Sequence, residues 1–263
     1  MGYYRINQIY PWLYSISDLF NVFCYLVSGN DSALLFDTAH GLGDLAGAVR
    51  EVTDKPLVVV LGHGHVDHAN GAHQFDEAWL HEDDFELCRA HTGKEIRRSF
   101  LDSLAGKNPV LPECFDADAY VNAGMGNIKK LEPGRIFDLG GLHIEVVAME
   151  GHTAGSVGLL VREHRVLLDS DSANPHIWMF LGESLPLSRY IAMLERTMHL
   201  DFDTFFVGHS DSPMPKRDFM KFLNAARNAS VDKAVPYGAF PELKGLLYRE
   251  DGVEIVFSEE KLQ

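Results

Sequence analysis

Apolar runs alternate with turn residues through the first part of the chain. "WLYSI", "VFCYLVS" and "ALLFDT" are rich in aromatic and aliphatic side chains, and "SDLFN" and "GNDS" separate them. Short runs bounded by Gly, Asn, Asp and Ser predict a β-meander. The spacing of "GLGDLAGAVREV" then predicts a helix, and "KPLVVVLG" a buried strand. A βαβ unit of this form delivers His63 at a strand's C-terminal end, where open α/β folds place their sites.

Residues 82–105 have helical spacing and mixed charge, and "AGKNPVLPECFDADAYVNAGMGN" reads as an irregular excursion. Together they predict a cap inserted at about 82–125 within one domain spanning 1–263. The later region repeats the earlier style. "LHIEVVAME", "SVGLLV", "RVLLDSD" and "TFFVG" predict strands, and "LSRYIAMLERTMHL" and "PKRDFMKFLNAARNA" predict amphipathic helices. Two β-rich halves with flanking helices imply an α/β architecture, two mixed sheets face to face with helices outside. That is an αββα sandwich.

Composition narrows the function. The chain has 263 residues, 46% of them hydrophobic and 23% charged, which suits a globular enzyme with a sizeable core. A formal net charge of −15 argues against nucleic acid, whose phosphates need a Lys/Arg surface, and against anionic membrane. Cys24, Cys88 and Cys114 are scattered and form no C-x-x-C pair, so reduced buried thiols are expected. The opening "MGYYRINQIYPW" lacks the apolar run of a signal peptide, and a cytoplasmic location is expected.

The chemistry is concentrated in "LGHGHVDHANG". His63 and His65 sit two apart, so an extended backbone points both to one side, with Gly64 easing a turn between them. Asp67 and His68 follow at a helix start. Zinc and similar ions take imidazole nitrogen and carboxylate oxygen, four or five ligands per ion. Four ligand-type side chains on one short loop cannot all reach a single ion, which points to two. Further ligand types recur where strands run out: His152 in "EGHTAGS", Asp169 and Asp171 in "LLDSDSA", and His209 in "VGHSD".

His63-x-His65-x-Asp67-His68, "GHTAGS", the strand-end aspartate and "VGHSD" resemble the metallo-β-lactamase superfamily, with ordered motifs from Asp37 to His209. The branches most similar in pattern are the dinuclear glyoxalase II, lactonase and phosphodiesterase types. The resemblance implies the αββα fold and two divalent ions, zinc foremost, with iron or manganese as the other choices. It assigns His63, His65 and His152 to one ion, and Asp67, His68 and His209 to the other, with Asp171 bridging. Asp67 and Asp171 are the carboxylates implied in catalysis. Asp37, in "FDT", is implied to orient a ligand. Two departures stand out. Ser170 occupies a position often held by glycine, and Asp171 stands where true β-lactamases usually carry cysteine, so antibiotic hydrolysis is disfavoured. The flavodiiron branch has glutamate where this chain has His65.

Other residues carry weaker readings. Asp169 is expected beside the ligands or facing solvent. His176 and Trp178, in "SANPHIWMF", are candidates for the pocket wall, and Phe20 and Phe180 default to core. His40, His73, His81, His91, His143, His164 and His199 are read as structural or solvated. "GLGDLA" is a turn and helix start, because the next strand ends in His63 where a dinucleotide fold needs a ribose-binding acid. The acidic run Glu82-Asp83-Asp84 is read as a helix N-terminus.

Bound divalent ions lower the pKa of water to near 7 and stabilise the oxyanion formed on attack. The expected activity is hydrolysis of a small ester, lactone or thioester, with a phosphodiesterase or an iron-binding oxidoreductase as alternatives. The expected partner is a small-molecule substrate, with no nucleic acid or membrane; a homo-oligomer stays open.

Overall fold

The structure, a computed structural model, describes residues 3–104, 111–113, 115–240 and 243–262. Residues 105–110 and 114 of the expected insertion, Cys114 among them, lie outside the described residues.

The first sheet runs in sequence order: β1 (Arg5–Tyr10), β2 (Leu13–Ser17), β3 (Phe23–Ser28), β4 (Ala33–Phe36), β5 (Leu57–Val60), β6 (Ala78–His81) and β7 (Ile128–Leu131). β1 to β4 form an antiparallel meander, and β4 to β7 are parallel. Helix α1 (Leu45–Val52) links β4 to β5 and starts as the glycine-rich turn predicts, with Asp44 accepting from Gly47 N at 2.7 Å. The second sheet contains β8 (Ile136–Asp138), β9 (His143–Ala148), β10 (Val157–Val161), β11 (Val166–Leu168), β13 (Thr204–Val207) and β14 (Ser210–Pro215).

Strand β4 shows why the layers stack. All four of its residues are buried, as in parallel strands covered on both faces. Leu34 and Phe36 join Val60, Ile144, Leu159, Leu168 and Phe206 in a core between the sheets. Ala33 and Leu35 join Leu45, Ala48 and Val49 beneath α1. The outer face of the second sheet packs Phe205 and Val207 against α6 (Leu187–Thr197) and α7 (Phe219–Asn228). The expected αββα sandwich is therefore the architecture found.

A third sheet was not anticipated. It orders β12 (His176–Met179), β17 (Val253–Phe257), β16 (Leu243–Glu250) and β15 (Val235–Phe240). Ile177, Met179, Ile255 and Phe257 pack into the α6/α7 core. On its other face Phe180, Leu247 and Val256 are buried, with Trp178, Leu181 and Tyr237 half-buried beside them.

Residues 82–127 connect β6 to its parallel neighbour β7, and such a pair requires a crossover. This one carries α3 (Phe85–His91), α4 (Lys94–Leu104) and α5 (Ala117–Asn122), so the stretch expected to be irregular contains a helix. Fully buried Arg97 ties the crossover together, donating to Thr92 O (2.8 Å), Asn70 O (2.8 Å) and Gly124 O (2.9 Å). Among the described residues no helix is long and apolar enough to cross a membrane.

Candidate metal centre

Every ligand-type residue lies just past the end of a strand. His63 and His65 follow β5, and Asp67 and His68 occupy the short helix α2 (Val66–Ala69) of that loop, between α1 and α3 along the chain. His152, Asp171 and His209 follow β9, β11 and β13 of the second sheet. The loops from both sheets converge at one edge of the sandwich.

Two groups result. In the first, His65 Nδ1 lies 3.1 Å from His63 Nε2 and 2.9 Å from His152 Nε2. In the second, Asp171 Oδ2 lies 3.4 Å from His68 Nε2 and 3.2 Å from His209 Nε2, and Asp67 Oδ2 lies 3.5 and 3.6 Å from the same nitrogens. Asp171 Oδ2 is also 4.0 Å from His152 Nε2, so it stands between the groups.

Hydrogen bonds around the rim fix which ring nitrogens carry protons. His152 Nδ1 meets the Trp178 carbonyl at 2.7 Å, so it donates and leaves Nε2 a bare lone pair. His65 Nε2 donates to Glu183 at 2.8 Å, which leaves its Nδ1 bare. His68 Nδ1 donates to Asp37 at 2.9 Å, leaving a buried Nε2 without a hydrogen-bond partner. Asp171 Oδ1 is likewise buried and unpartnered. In the first group bare imidazole lone pairs thus repel one another, and in the second two carboxylates face the same two imidazoles. The donor set fits divalent cations, which would relieve this repulsion.

The electrostatics agree. Burial, then neighbouring imidazoles, push His63 well below the ordinary histidine value and His152 down to about 4. Both are therefore neutral ligands at physiological pH. Burial opposes charge on Asp171 and Asp67, but His209 and His68 outweigh it and hold both carboxyls well below their usual range. Burial likewise pulls His68 and His209 down, and the surrounding aspartates reverse this, raising His209 to about 9.

Asp37 ties the converging loops together. Its Oδ1 accepts from Gly62 N (2.6 Å), and its Oδ2 accepts from Ser170 Oγ (2.7 Å) as well as His68. Asp37 and Ser170 both have left-handed backbone, φ +66° and +58°. That conformation explains a glycine preference at position 170, and Ser170 replaces glycine's ease with a hydrogen bond to Asp37. Gly208 permits close approach: a Cβ there would lie 2.5 Å from Asp171 Oδ1 and 2.7 Å from His68 Cε1.

Gly64 lies in a bend, as expected, and has a second role: a Cβ there would lie 2.8 Å from Cys88 N and 3.0 Å from Asp84 O, so its absence also lets α3 approach. Some expectations need correction. Asp169 is not solvent-facing. It is fully buried and accepts from Ala173 N at 2.8 Å, because the chain leaves the strand at Leu168 and bends at Ser170. His176 is bound to Glu254 (2.6 Å) and Tyr237 (3.1 Å) in the third sheet, outside both ligand groups. Trp178, a candidate wall residue, meets the centre through its carbonyl, and its half-buried ring packs against Phe180. Phe20 packs on His40 and on Phe100 of α4.

Sequence reasoning missed Asp84. The acidic run does precede α3, yet Asp84 makes no cap bond. Its carboxylate instead accepts from Gly64 N (2.8 Å), Gly155 N (2.8 Å) and Thr153 Oγ1 (2.7 Å), joining the His63–His65 loop to the His152 loop. Glu183 was also missed, and so was His91, which stacks on His65 with ring centroids 5.0 Å apart. Nothing local in sequence marks any of the three, since each acts through residues distant along the chain.

Comparison with known proteins places this geometry. The human acyl-coenzyme A thioesterase MBLAC2 is 27% identical over 244 residues, covering 86% of each chain. Among solved structures, the sec-alkylsulfatase Pisa1 from Pseudomonas sp. matches with TM-score 0.62 and 14% identity over 85% of this chain. The chain spans only 41% of that sulfatase. A metallo-β-lactamase from Pontibacter korlensis matches with TM-score 0.59 and 15% identity, over 86% of this chain and 100% of that one. The family model described as the metallo-beta-lactamase superfamily matches residues 17–209, a stretch that contains all seven ligand-type residues. The chain belongs to the metallo-β-lactamase superfamily.

Proposed function

We propose that the protein is a dinuclear metal-dependent hydrolase whose substrate is an acyl thioester. The observation that carries the hydrolase reading is the convergence of bare imidazole lone pairs and ionised carboxylates in two adjoining groups. The thioester is supported by the human relative, whose name records that activity. Zinc suits the nitrogen and oxygen donors, with iron or manganese next. His63, His65 and His152 would hold one ion and Asp67, His68 and His209 the other, with Asp171 between. When bound, such ions polarise a carbonyl and bring the pKa of water toward 7.

The protein's own groups supply the rest. Asp67 is ionised, and its side chain is 24% exposed, so it would accept a hydrogen bond from water entering the cleft and orient it. Asp37 and the Trp178 carbonyl keep ring nitrogens aimed inward. Half-buried Trp178 of β12 and Leu181 just beyond that strand would offer an apolar wall for the acyl chain. The crossover, whose helix α3 stacks His91 on His65, would contribute to substrate selection.

A hydrolysis screen tests this. Acyl thioesters, p-nitrophenyl esters, lactones and bis-p-nitrophenyl phosphate would be offered to the purified protein, with metal content measured in parallel. Thioester cleavage should lead, vanish on chelation and return with zinc. Cleavage of the phosphodiester with no thioester turnover would sink the substrate assignment. A redox-active iron pair with no hydrolysis would sink the hydrolase reading.

A further inference from the structure

We propose that Glu183 is a positioning residue for the first ligand group, holding His65 in the one tautomer and orientation that aims Nδ1 at the other two histidines. This rests on the two-ion reading of the site.

The geometry is specific. His65 Nε2 lies 2.8 Å from Glu183 Oε1, on the side of the ring opposite the nitrogen facing His63 and His152. A carboxylate can only accept here, so it fixes the proton on Nε2 and leaves Nδ1 free to ligate. The hydrogen bond controls rotation within the ring plane, and His91 stacked on the ring face at 23° limits tilt.

The segment bearing Glu183, between β12 and α6, is anchored to the His152 loop. Ser184 Oγ donates to His152 O at 2.9 Å, and Leu185 N donates to Gly151 O at 2.8 Å. Lys261 Nζ donates to Gly182 O at 3.2 Å and to Ser184 O. Trp178 at the head of the same segment holds His152 Nδ1. One stretch, residues 178–185, therefore positions two ligands that come from different sheets.

His65, His91 and Glu183 also lie close enough to suggest a cation site of their own. Proton placement argues against it. His65 Nε2 must carry hydrogen to donate to Glu183. His91 Nδ1 accepts from Val66 N at 3.3 Å, so its Nε2 carries hydrogen too. With both remaining ring nitrogens protonated, neither imidazole offers a lone pair beside Glu183, and the three do not form a ligand set.

The test titrates zinc into metal-free parent, Glu183→Gln and Glu183→Ala proteins against a competing chelator, with the ligand-field spectrum of each cobalt form recorded. Glu183→Ala should weaken one of the two ions by about 10–100-fold and alter the cobalt spectrum, leaving the other ion at parental affinity. Glu183→Gln keeps an accepting oxygen and should recover part of that loss. Parental affinity and spectrum in Glu183→Ala would overturn the proposal. So would a third zinc equivalent that both variants lose, since the cluster would then be a metal site itself. A parent that binds no divalent ion would defeat this inference and the two-ion reading together. Two ions held as expected without any hydrolysis would defeat only the proposed function.

Discussion

Asp169 and Asp171 are two positions apart on one loop and differ in everything that matters to chemistry. Asp171 stands between the two ligand groups, and neighbouring imidazoles keep it ionised. Asp169 points into the core, where burial raises its carboxyl well above the usual range. Strand alternation would have placed both on one face, but the left-handed Ser170 breaks that periodicity. Losing the carboxylate between two cations leaves like charges facing each other. Asp171→Ala should therefore lose most of one ion and nearly all hydrolysis. Asp169→Asn should keep both ions and a measurable rate, within about 10–100-fold of the parent. Elemental analysis with initial rates decides; two ions retained in Asp171→Ala, with one lost from Asp169→Asn, would reverse the assignment. At this scale the ligand spacing was legible because His-x-His and Asp-His are contiguous. The carboxylates behind the ligands were not, because Asp84 and Glu183 meet their partners 20 and 118 positions away.

Among elements, the strands ending at ligands could be read from their apolar runs, and the meander and βαβ unit stand where the pattern put them. The third sheet was missed, although "REDGVEIVF" carries the signal of a hairpin. Asp251 and Gly252 both have positive φ, 49° and 83°, as a tight turn between β16 and β17 requires. The acidic run does stand at a helix start, but burial, which local sequence does not show, also made one of its carboxylates, Asp84, a clamp. Asp84→Ala strips the acceptor from two backbone N–H groups in that clamp, at Gly64 and Gly155. Stability should fall by about 2–4 kcal/mol, read from the urea midpoint at constant slope. Zinc affinity at the three-histidine group should fall with it. An unchanged midpoint would show that the clamp contributes nothing to stability.

At the scale of the whole molecule, the layered architecture was legible because each half repeats the same strand-and-helix grammar. How the halves meet was not, since no local pattern encodes their contact. The first sheet supplies His63, His65, Asp67 and His68, and the second supplies His152, Asp171 and His209. Metal that binds the native state alone stabilises by about 2.7 kcal/mol at a free concentration 100 times its Kd. For a chain of this size that corresponds to about 5–10 °C in Tm. Stripping the ions with a chelator should lower the melting temperature by at least that much, and zinc should restore it. A melting curve indifferent to chelation would rule out binding across the seam. The division of ligands between sheets also has a consequence during synthesis. While only the first half has left the ribosome, each future site has two of its ligands and neither has the carboxylate that joins them. If the site holds metal as proposed, the nascent chain would be a poor chelator until the second sheet docks, and metal capture would follow completion of the sandwich.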